Sequence, residues 1–147
     1  MRSIKYIVVH CTATRQSTSI SALLRGFKQR GWRNPGYHYV VMPLGDLRVL
    51  LAEGLIANGV KGHNQHSIHI AYMGGIDAQG SAVDNRTAAQ RAMLVWALKD
   101  LRSRYPEAVI LGHRDLSPDL NGDGVITPNE FVKLCPCFNA KEAYKGI

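Results

Sequence analysis

The feature that most limits the possible folds is an almost continuous apolar run near the start of the chain, Ile4 to Val9, which ends in His10. The run is rich in β-branched and aromatic residues and is interrupted only by Lys5. Such a pattern is typical of a central strand that is covered on both faces. It is also too short for the core of a signal peptide, so we expect synthesis in the cytoplasm without a signal peptide, followed by release or export.

Two amphipathic helices are predicted after this strand. Ile20, Leu23, Leu24 and Phe27 have the i, i+3, i+4, i+7 spacing of a helix that ends near Gly31. The second helix begins at a capping box formed by Thr87 and Gln90 and ends before Pro106. Its apolar face is lined by Leu94, Leu98, Leu101 and Tyr105.

Further strands are predicted on both sides of the second helix. They cover residues 37–42, 47–51, 67–72 and 109–111. The first two form a hairpin around a turn at 43–46, so the sheet should be mixed and not purely parallel. The order of elements predicts an α/β fold, a single domain over residues 1–147 with a mixed β-sheet flanked by helices.

Composition excludes some classes of protein and leaves others open. A chain of 147 residues can bury a core without disulfide bonds, and three cysteines do not suggest a disulfide framework. No apolar run is long enough to cross a bilayer, so we expect a monomer without membrane insertion. The net charge of +7 favours a polyanionic partner, either nucleic acid or a phosphate-rich envelope polymer. A basic nucleic-acid-binding protein is one hypothesis, but the chain lacks the known motifs of specific nucleic-acid recognition.

Candidate metal ligands stand at the ends of predicted strands. A catalytic zinc needs three protein ligands and an open position for water. His10 and His113 each end a strand, and Cys135 lies in a Cys-Pro turn. Strand ends are where distant residues of an α/β sheet converge. Cys137 is an alternative to Cys135, whereas strand alternation turns Cys11 to the opposite face as a buried residue.

Six short strings occur in one order along the chain. They are Val9-His10-Cys11-Thr12-Ala13-Thr14, Gly36-Tyr37-His38-Tyr39, Gly62-His63-Asn64-x-x-Ser67-Ile68, Met73-Gly74-Gly75-Ile76-Asp77, Gly112-His113-Arg114-Asp115 and Lys133-x-Cys135-Pro136. This series resembles the zinc-dependent N-acetylmuramoyl-L-alanine amidases of the bacteriophage lysozyme type, which are relatives of the peptidoglycan recognition proteins. The resemblance covers nearly the whole chain.

The resemblance implies a site and a reaction. Zinc would be bound by His10, His113 and Cys135, with Tyr37 and Lys133 as catalytic residues. The implied enzyme is a peptidoglycan hydrolase, an endolysin of phage or prophage type, in which zinc-activated water cleaves the amide bond between N-acetylmuramic acid and L-alanine. A peptidoglycan-binding module without catalysis is the alternative within the family, although such modules typically lack a zinc ligand.

Three histidines, His63, His66 and His69, lie in or just after the third string. His63 lies within a family-like string, where it would border the substrate groove. His66 and His69 are assigned no role, as surface or strand-packing residues. Many relatives carry a further histidine just before this string, and here Gly59 takes that place.

An insertion at 119–130 resembles the calcium loop of an EF-hand. Its predicted ligands are Asp119, Asn121, Asp123, the Val125 carbonyl and Glu130, with Gly124 at the turn. No helix is predicted before Asp119, so the loop would be an unpaired half of an EF-hand with a structural role. Bound calcium would order a strand-to-helix segment that carries Lys133 and Cys135.

Overall fold

The computed structural model describes residues 2–147. Its strands and α-helices are β1 (Tyr6–Cys11), α1 (Ile20–Gln29), β2 (Tyr39–Val41), β3 (Leu47–Val49), β4 (Ser67–Tyr72), α2 (Ala88–Arg104), β5 (Val109–Gly112) and α3 (Ala140–Ala143).

The five strands form one mixed sheet in the order β3-β2-β4-β1-β5. β1 is parallel to both of its neighbours, β4 and β5, and β2 is parallel to β4. β3 is antiparallel to β2, as the predicted hairpin requires. The predicted fold class, a mixed α/β sheet flanked by helices, is therefore confirmed, and β1 is an interior strand paired on both sides, as its apolar run indicated.

Alternation along β1 divides its side chains between two layers. Ile7 and Val9 belong to the main core, which α2 and α3 cover with Leu94, Leu98 and Tyr144. A second cluster forms where Leu23 and Phe27 of α1 pack against Val40, Ala71 and Met73. His10 is buried on the side of α1, so one strand supplies both the core and a polar group for the other face.

Both predicted helices begin directly after a capping residue. The Ser19 hydroxyl accepts a hydrogen bond from the Ala22 amide at 3.1 Å, and Thr87 and Gln90 form the predicted capping box. Gln90 is also fully buried, and its amide donates to the carbonyls of Val41 and Met73 at 3.1 and 3.0 Å. The start of α2 is thereby attached to the ends of β2 and β4.

The chain between β5 and α3 differs from the prediction. Two 3₁₀ turns, His113–Leu116 and Pro128–Glu130, are present, but residues 131–139 form neither helix nor strand. The predicted strand-to-helix segment that carries Lys133 and Cys135 is therefore wrong. Pro136 has no amide proton to donate to a helix, and α3 begins only after Asn139, whose side chain caps it.

Candidate metal centre

Three potential metal ligands converge at one edge of the sheet. The donor atoms of His10, His113 and Cys135 all lie within 4.8 Å of one another. His10 is near the end of β1, and His113 directly follows β5. Because β1 and β5 are adjacent and parallel, their carboxyl ends meet at the same edge, as predicted for this class of sheet.

The loop that carries Cys135 is held against the end of β5. The Arg114 amide donates to the Cys135 carbonyl at 2.9 Å, and the Tyr72 hydroxyl donates to the Pro136 carbonyl at 2.8 Å. A Cβ atom at Gly112 would lie 2.7 Å from Cδ of Pro136. Only glycine at position 112 allows this close approach, which brings the cysteine to the two histidines.

The orientations of the cysteines favour Cys135 over Cys137 as a ligand. Sγ of Cys135 lies 3.7 Å from Nδ1 of His10 and accepts a hydrogen bond from the Cys11 amide at 3.1 Å. Cys137 instead contacts Cys11, with 3.9 Å between the sulfur atoms. Cys11 is buried, as expected, and hydrogen bonding to Cys135 together with burial raises the pKa of its thiol to about 12.

Burial keeps both ligand histidines in the neutral form that binds metals. Desolvation, aided by the basic groups of His69 and His113, holds the pKa of His10 well below its usual 6.5. Burial and the nearby Lys133 ammonium lower the pKa of His113 to about 4. Two neutral imidazoles and one thiol are a donor set that suits zinc and leaves a fourth position open.

Tyr37 and Lys133 line the same cavity as the three candidate ligands, a cleft of about 200 Å³. The Tyr37 ring lies 5.0 Å from that of His10, and its hydroxyl donates to the Cys11 carbonyl at 3.2 Å. Burial raises the pKa of Tyr37 well above its usual value, so the phenol stays protonated at neutral pH. Lys133 is exposed, in the loop before Cys135, which contains no helix or strand.

A second, wider cleft of about 890 Å³ continues from the first. Arg30, Trp32, His113 and Lys133 line both clefts, so together they form one groove along the metal centre. His63 lines the wider part, where its ring meets the edge of Tyr6 at a centroid distance of 5.9 Å. The contact of His63 with a substrate stays a prediction.

His69, predicted only as a surface or strand-packing residue, lies against a candidate ligand. His69 is completely buried, and its Nδ1 lies 2.8 Å from Nε2 of His10. Its other ring nitrogen, Nε2, lies 2.9 Å from the Asn64 side-chain oxygen. The sequence contained a signal for it, because a histidine between Ile68 and Ile70 in a buried strand needs polar partners. His66, in contrast, lies in a 3₁₀ turn and contacts the Ser3 carbonyl.

The insertion folds into a tight loop in which three carboxylates approach one another. Oxygen atoms of Asp119, Asp123 and Glu130 lie within 4.8 Å of one another. Asp119 accepts a hydrogen bond from the Gly124 amide at 2.7 Å, and Asp123 accepts one from Val125 at 2.9 Å. Glu130 is already bound by backbone amides, including that of Thr127, which lower the pKa of its carboxyl.

Known proteins share both the family and the fold of this chain. Residues 1–125 match the N-acetylmuramoyl-L-alanine amidase family. The chain is 31% identical over 139 residues to the endolysin of Enterobacteria phage K11, in an alignment that covers 93% of this chain and 83% of that protein.

Solved structures of an endolysin and of a PGRP are also similar to this chain. The chain is 28% identical to the Ph2119 endolysin from the Thermus scotoductus MAT2119 bacteriophage Ph2119, with a TM-score of 0.70, covering 92% of this chain and 79% of the other. PGRP-SA of Apis mellifera has a TM-score of 0.69 at 16% identity, covering 100% of this chain and 82% of the other, which shows a shared fold. The family match contains His10, Tyr37 and His113 but ends before Lys133 and Cys135. The assignment of those two residues to the site therefore depends on their positions in the structure.

Proposed function

Because the chain belongs to the N-acetylmuramoyl-L-alanine amidase family, we propose that it performs the reaction of that family with zinc held by His10, His113 and Cys135. The chain is a peptidoglycan hydrolase that cleaves the amide bond between N-acetylmuramic acid and the L-alanine of the stem peptide. The convergence of two neutral histidines and one cysteine at the floor of an open groove is the observation that carries the zinc assignment.

The ligand set fits zinc in both chemistry and number. Zinc binds imidazole nitrogen and thiolate sulfur, and catalytic sites use three protein ligands. When bound, zinc supplies Lewis acidity and makes water a nucleophile near neutral pH. The Cys11 amide donates a hydrogen bond to Sγ of Cys135 and so helps to hold the sulfur beside the two histidines.

Tyr37 and Lys133 have separable roles in the hydrolysis of the amide. The Tyr37 phenol, which burial keeps protonated, donates a hydrogen bond to the carbonyl oxygen as negative charge develops on it. To do so it exchanges the Cys11 carbonyl for the substrate. The Lys133 ammonium, at the rim of both clefts, adds a positive charge beside the same oxygen and can supply a proton to the leaving amine.

The continuous groove accounts for the polymeric substrate. It extends from the metal centre past Trp32 and Arg30 to His63, and we propose that it binds sugar and peptide on either side of the scissile bond. The positive net charge favours approach to an anionic cell wall. We propose that the protein acts at the wall as a monomer, without membrane insertion or specific nucleic-acid binding. Within residues 2–147, no helix has the length and apolarity of a membrane span.

Digestion of purified peptidoglycan tests the reaction and its metal together. The expected products, identified by mass spectrometry, are stem peptides with a free L-alanine amino group and glycan strands with intact N-acetylmuramic acid. Metal analysis should give about one zinc per chain. Removal of zinc by a chelator, or His113→Ala, should abolish release, and added zinc should restore only the wild type. Binding to the wall without release would support the non-catalytic module, and full activity of metal-free His113→Ala would falsify the ligand assignment.

The loop at 119–130 supports a second, weaker metal site. Asp119, Asp123 and Glu130 could bind calcium together with Asn121 and the Val125 carbonyl, as in an EF-hand loop. Three carboxylates at this distance repel one another, and a hard divalent cation removes that repulsion. Since Glu130 already binds the backbone amides of Thr127 and Leu120, calcium would tighten an existing loop and not create one.

A further inference from the structure

His69 stands directly behind the proposed ligand His10 and takes no part in the mechanism above. It lies on β4, beside β1, and is 0% exposed. Val8 of β1 pairs with His69 and His10 pairs with Ala71, so the two imidazoles are diagonal neighbours on the same face of the sheet. Their ring nitrogens, Nε2 of His10 and Nδ1 of His69, are 2.8 Å apart.

The direction of hydrogen bonding along this chain follows from one backbone donor. The Val60 amide donates to the side chain of Asn64 at 2.8 Å, so the atom it meets is the oxygen. That oxygen accepts a second hydrogen bond, at 2.9 Å, from Nε2 of His69. Nε2 of His69 therefore carries the proton, and in a neutral ring Nδ1 is left as an acceptor.

The contacts of the His69 ring define its place in this chain. The ring is completely buried, and its two nitrogens meet an amide oxygen, that of Asn64, and the imidazole of His10. As an acceptor, Nδ1 of His69 requires a proton on Nε2 of His10. The free lone pair of His10 is then on Nδ1, the nitrogen that faces Sγ of Cys135 at 3.7 Å.

Two further residues keep the His69 ring in place. The His69 amide donates to Nδ1 of His38 at 3.0 Å, and Nε2 of His38 is bound to the Leu55 carbonyl at 2.9 Å. At Gly59, a Cβ atom would overlap the His69 imidazole ring. The absence of a side chain at Gly59 therefore leaves the space that the His69 ring occupies.

We propose that His69, oriented by Asn64 and accommodated by Gly59, is a positioning residue that holds His10 as the Nε2–H tautomer and so directs Nδ1 of His10 at the metal. This inference rests on the zinc site of the proposed function. Partners behind a metal ligand fix its tautomer and orientation, and their loss typically reduces metal affinity about 10–100-fold.

The matched variants are His69→Asn and His69→Leu. In asparagine the side-chain oxygen occupies nearly the place of Nδ1 and can still accept from His10, whereas leucine fills the buried site but accepts nothing. We expect His69→Leu to lose about 10–100-fold in zinc affinity, measured by competition with a chelator, and His69→Asn to lose much less. A role in packing alone predicts the opposite order, because leucine is the better residue for an apolar site.

A double-substitution cycle tests Gly59. Gly59→Ala should weaken zinc binding in the wild type, because the new methyl group displaces the His69 ring. In the His69→Leu background the same substitution should cost little more, since the positioning contact is already lost. If the two losses of zinc affinity were fully additive, Gly59 would have no part in the positioning of His10 by His69.

Nitrogen-15 NMR of the imidazoles in metal-free protein provides a readout independent of zinc and of turnover. The wild type and His69→Asn should show His10 as the Nε2–H tautomer, and His69→Leu should show a mixture of tautomers. An unchanged tautomer and unchanged zinc affinity in His69→Leu would overturn the proposal. A wild type that binds no zinc but keeps this tautomer pattern would contradict the zinc site alone.

Discussion

The side chains around the cavity are of two kinds. Some can bind a metal, and the others can only donate a hydrogen bond or carry a positive charge. The donor atoms of His10, His113 and Cys135 lie within 4.8 Å of one another, whereas Tyr37 is a buried phenol and Lys133 an exposed ammonium. Removal of either of the latter groups should therefore affect turnover and leave the metal in place.

Tyr37→Phe should retain zinc and lose about 10²–10³ in kcat, the usual effect of removing one oxyanion donor. Zinc content and the rate of peptide release are measured on the same preparation. Tyr39→Phe is the matched control, because the Tyr39 hydroxyl binds Glu53 outside the cavity. A near-normal rate in Tyr37→Phe would remove the residue from the mechanism, and loss of zinc would assign it to the metal site instead.

Lys133→Ala should likewise retain zinc and lose most of its turnover. Lys133→Arg should not restore the rate, because a planar guanidinium cannot replace a compact ammonium in a narrow cleft. Lys141→Ala, at an exposed position in α3, controls for the loss of one positive charge. The role of Lys133 would be rejected if the alanine variant released peptides at the wild-type rate.

At the scale of elements, the loop at 131–139, which contains Lys133 and Cys135, is fixed at both ends. Its end is fixed by the contacts of Cys135 and Pro136 with β5 and β4. Its beginning is fixed by Glu130 of the insertion, which accepts backbone hydrogen bonds, and by the Val132 amide, which donates to the Ser117 hydroxyl at 3.0 Å. We therefore expect order in the insertion to extend to Lys133, the residue after Val132.

Calcium at about 1 mM should raise the Tm of the zinc-loaded protein. For a site with a Kd of about 10⁻⁴ M, mass action gives about 1.4 kcal/mol, or roughly 3–5 °C for a chain of this size. Asp123→Asn should abolish the shift, since it removes one charge but keeps an oxygen that can accept from the Val125 amide.

Two comparisons make this result specific. Asp77→Asn is the control, because Asp77 also accepts loop amides, those of Gln79 and Ser81, outside the insertion. Glu130→Gln should lower the Tm even without calcium, because its carboxylate stabilises the loop backbone. If calorimetry detects no binding at millimolar calcium, or the Tm does not respond, the insertion is an ordinary acidic loop.

At the scale of the whole molecule, buried histidines make stability depend on pH. In the unfolded chain a histidine titrates near 6.5, whereas His113 in the fold is protonated only near pH 4. Between these values the unfolded state binds more protons, so acid favours unfolding. The contribution of His113 is fully present above pH 6.5 and is lost as the pH falls toward 4.

Denaturant unfolding of metal-free protein at a series of pH values measures this effect. The free energy of unfolding should be nearly constant above pH 6.5 and should fall steadily below it. In His113→Gln the slope between about pH 6.5 and 4 should decrease by up to about one bound proton. His10, whose pKa burial also holds well below 6.5, keeps part of the slope in that variant. An identical slope in both proteins would contradict the buried neutral state of His113.

Local patterns were sufficient to predict the mixed α/β fold, because strand and helix periodicity and the capping box of Thr87 and Gln90 act over a few neighbours. The resemblance to N-acetylmuramoyl-L-alanine amidases is confirmed, while zinc, its ligands, the catalytic roles and the single domain over residues 1–147 stay predictions. Tertiary structure alone decided which side chains meet. Register between β1 and β4 brings His69 to His10, and the space at Gly59 admits its ring. Such contacts join residues far apart in the chain, and they depend on strand pairing and loop packing that no local pattern encodes.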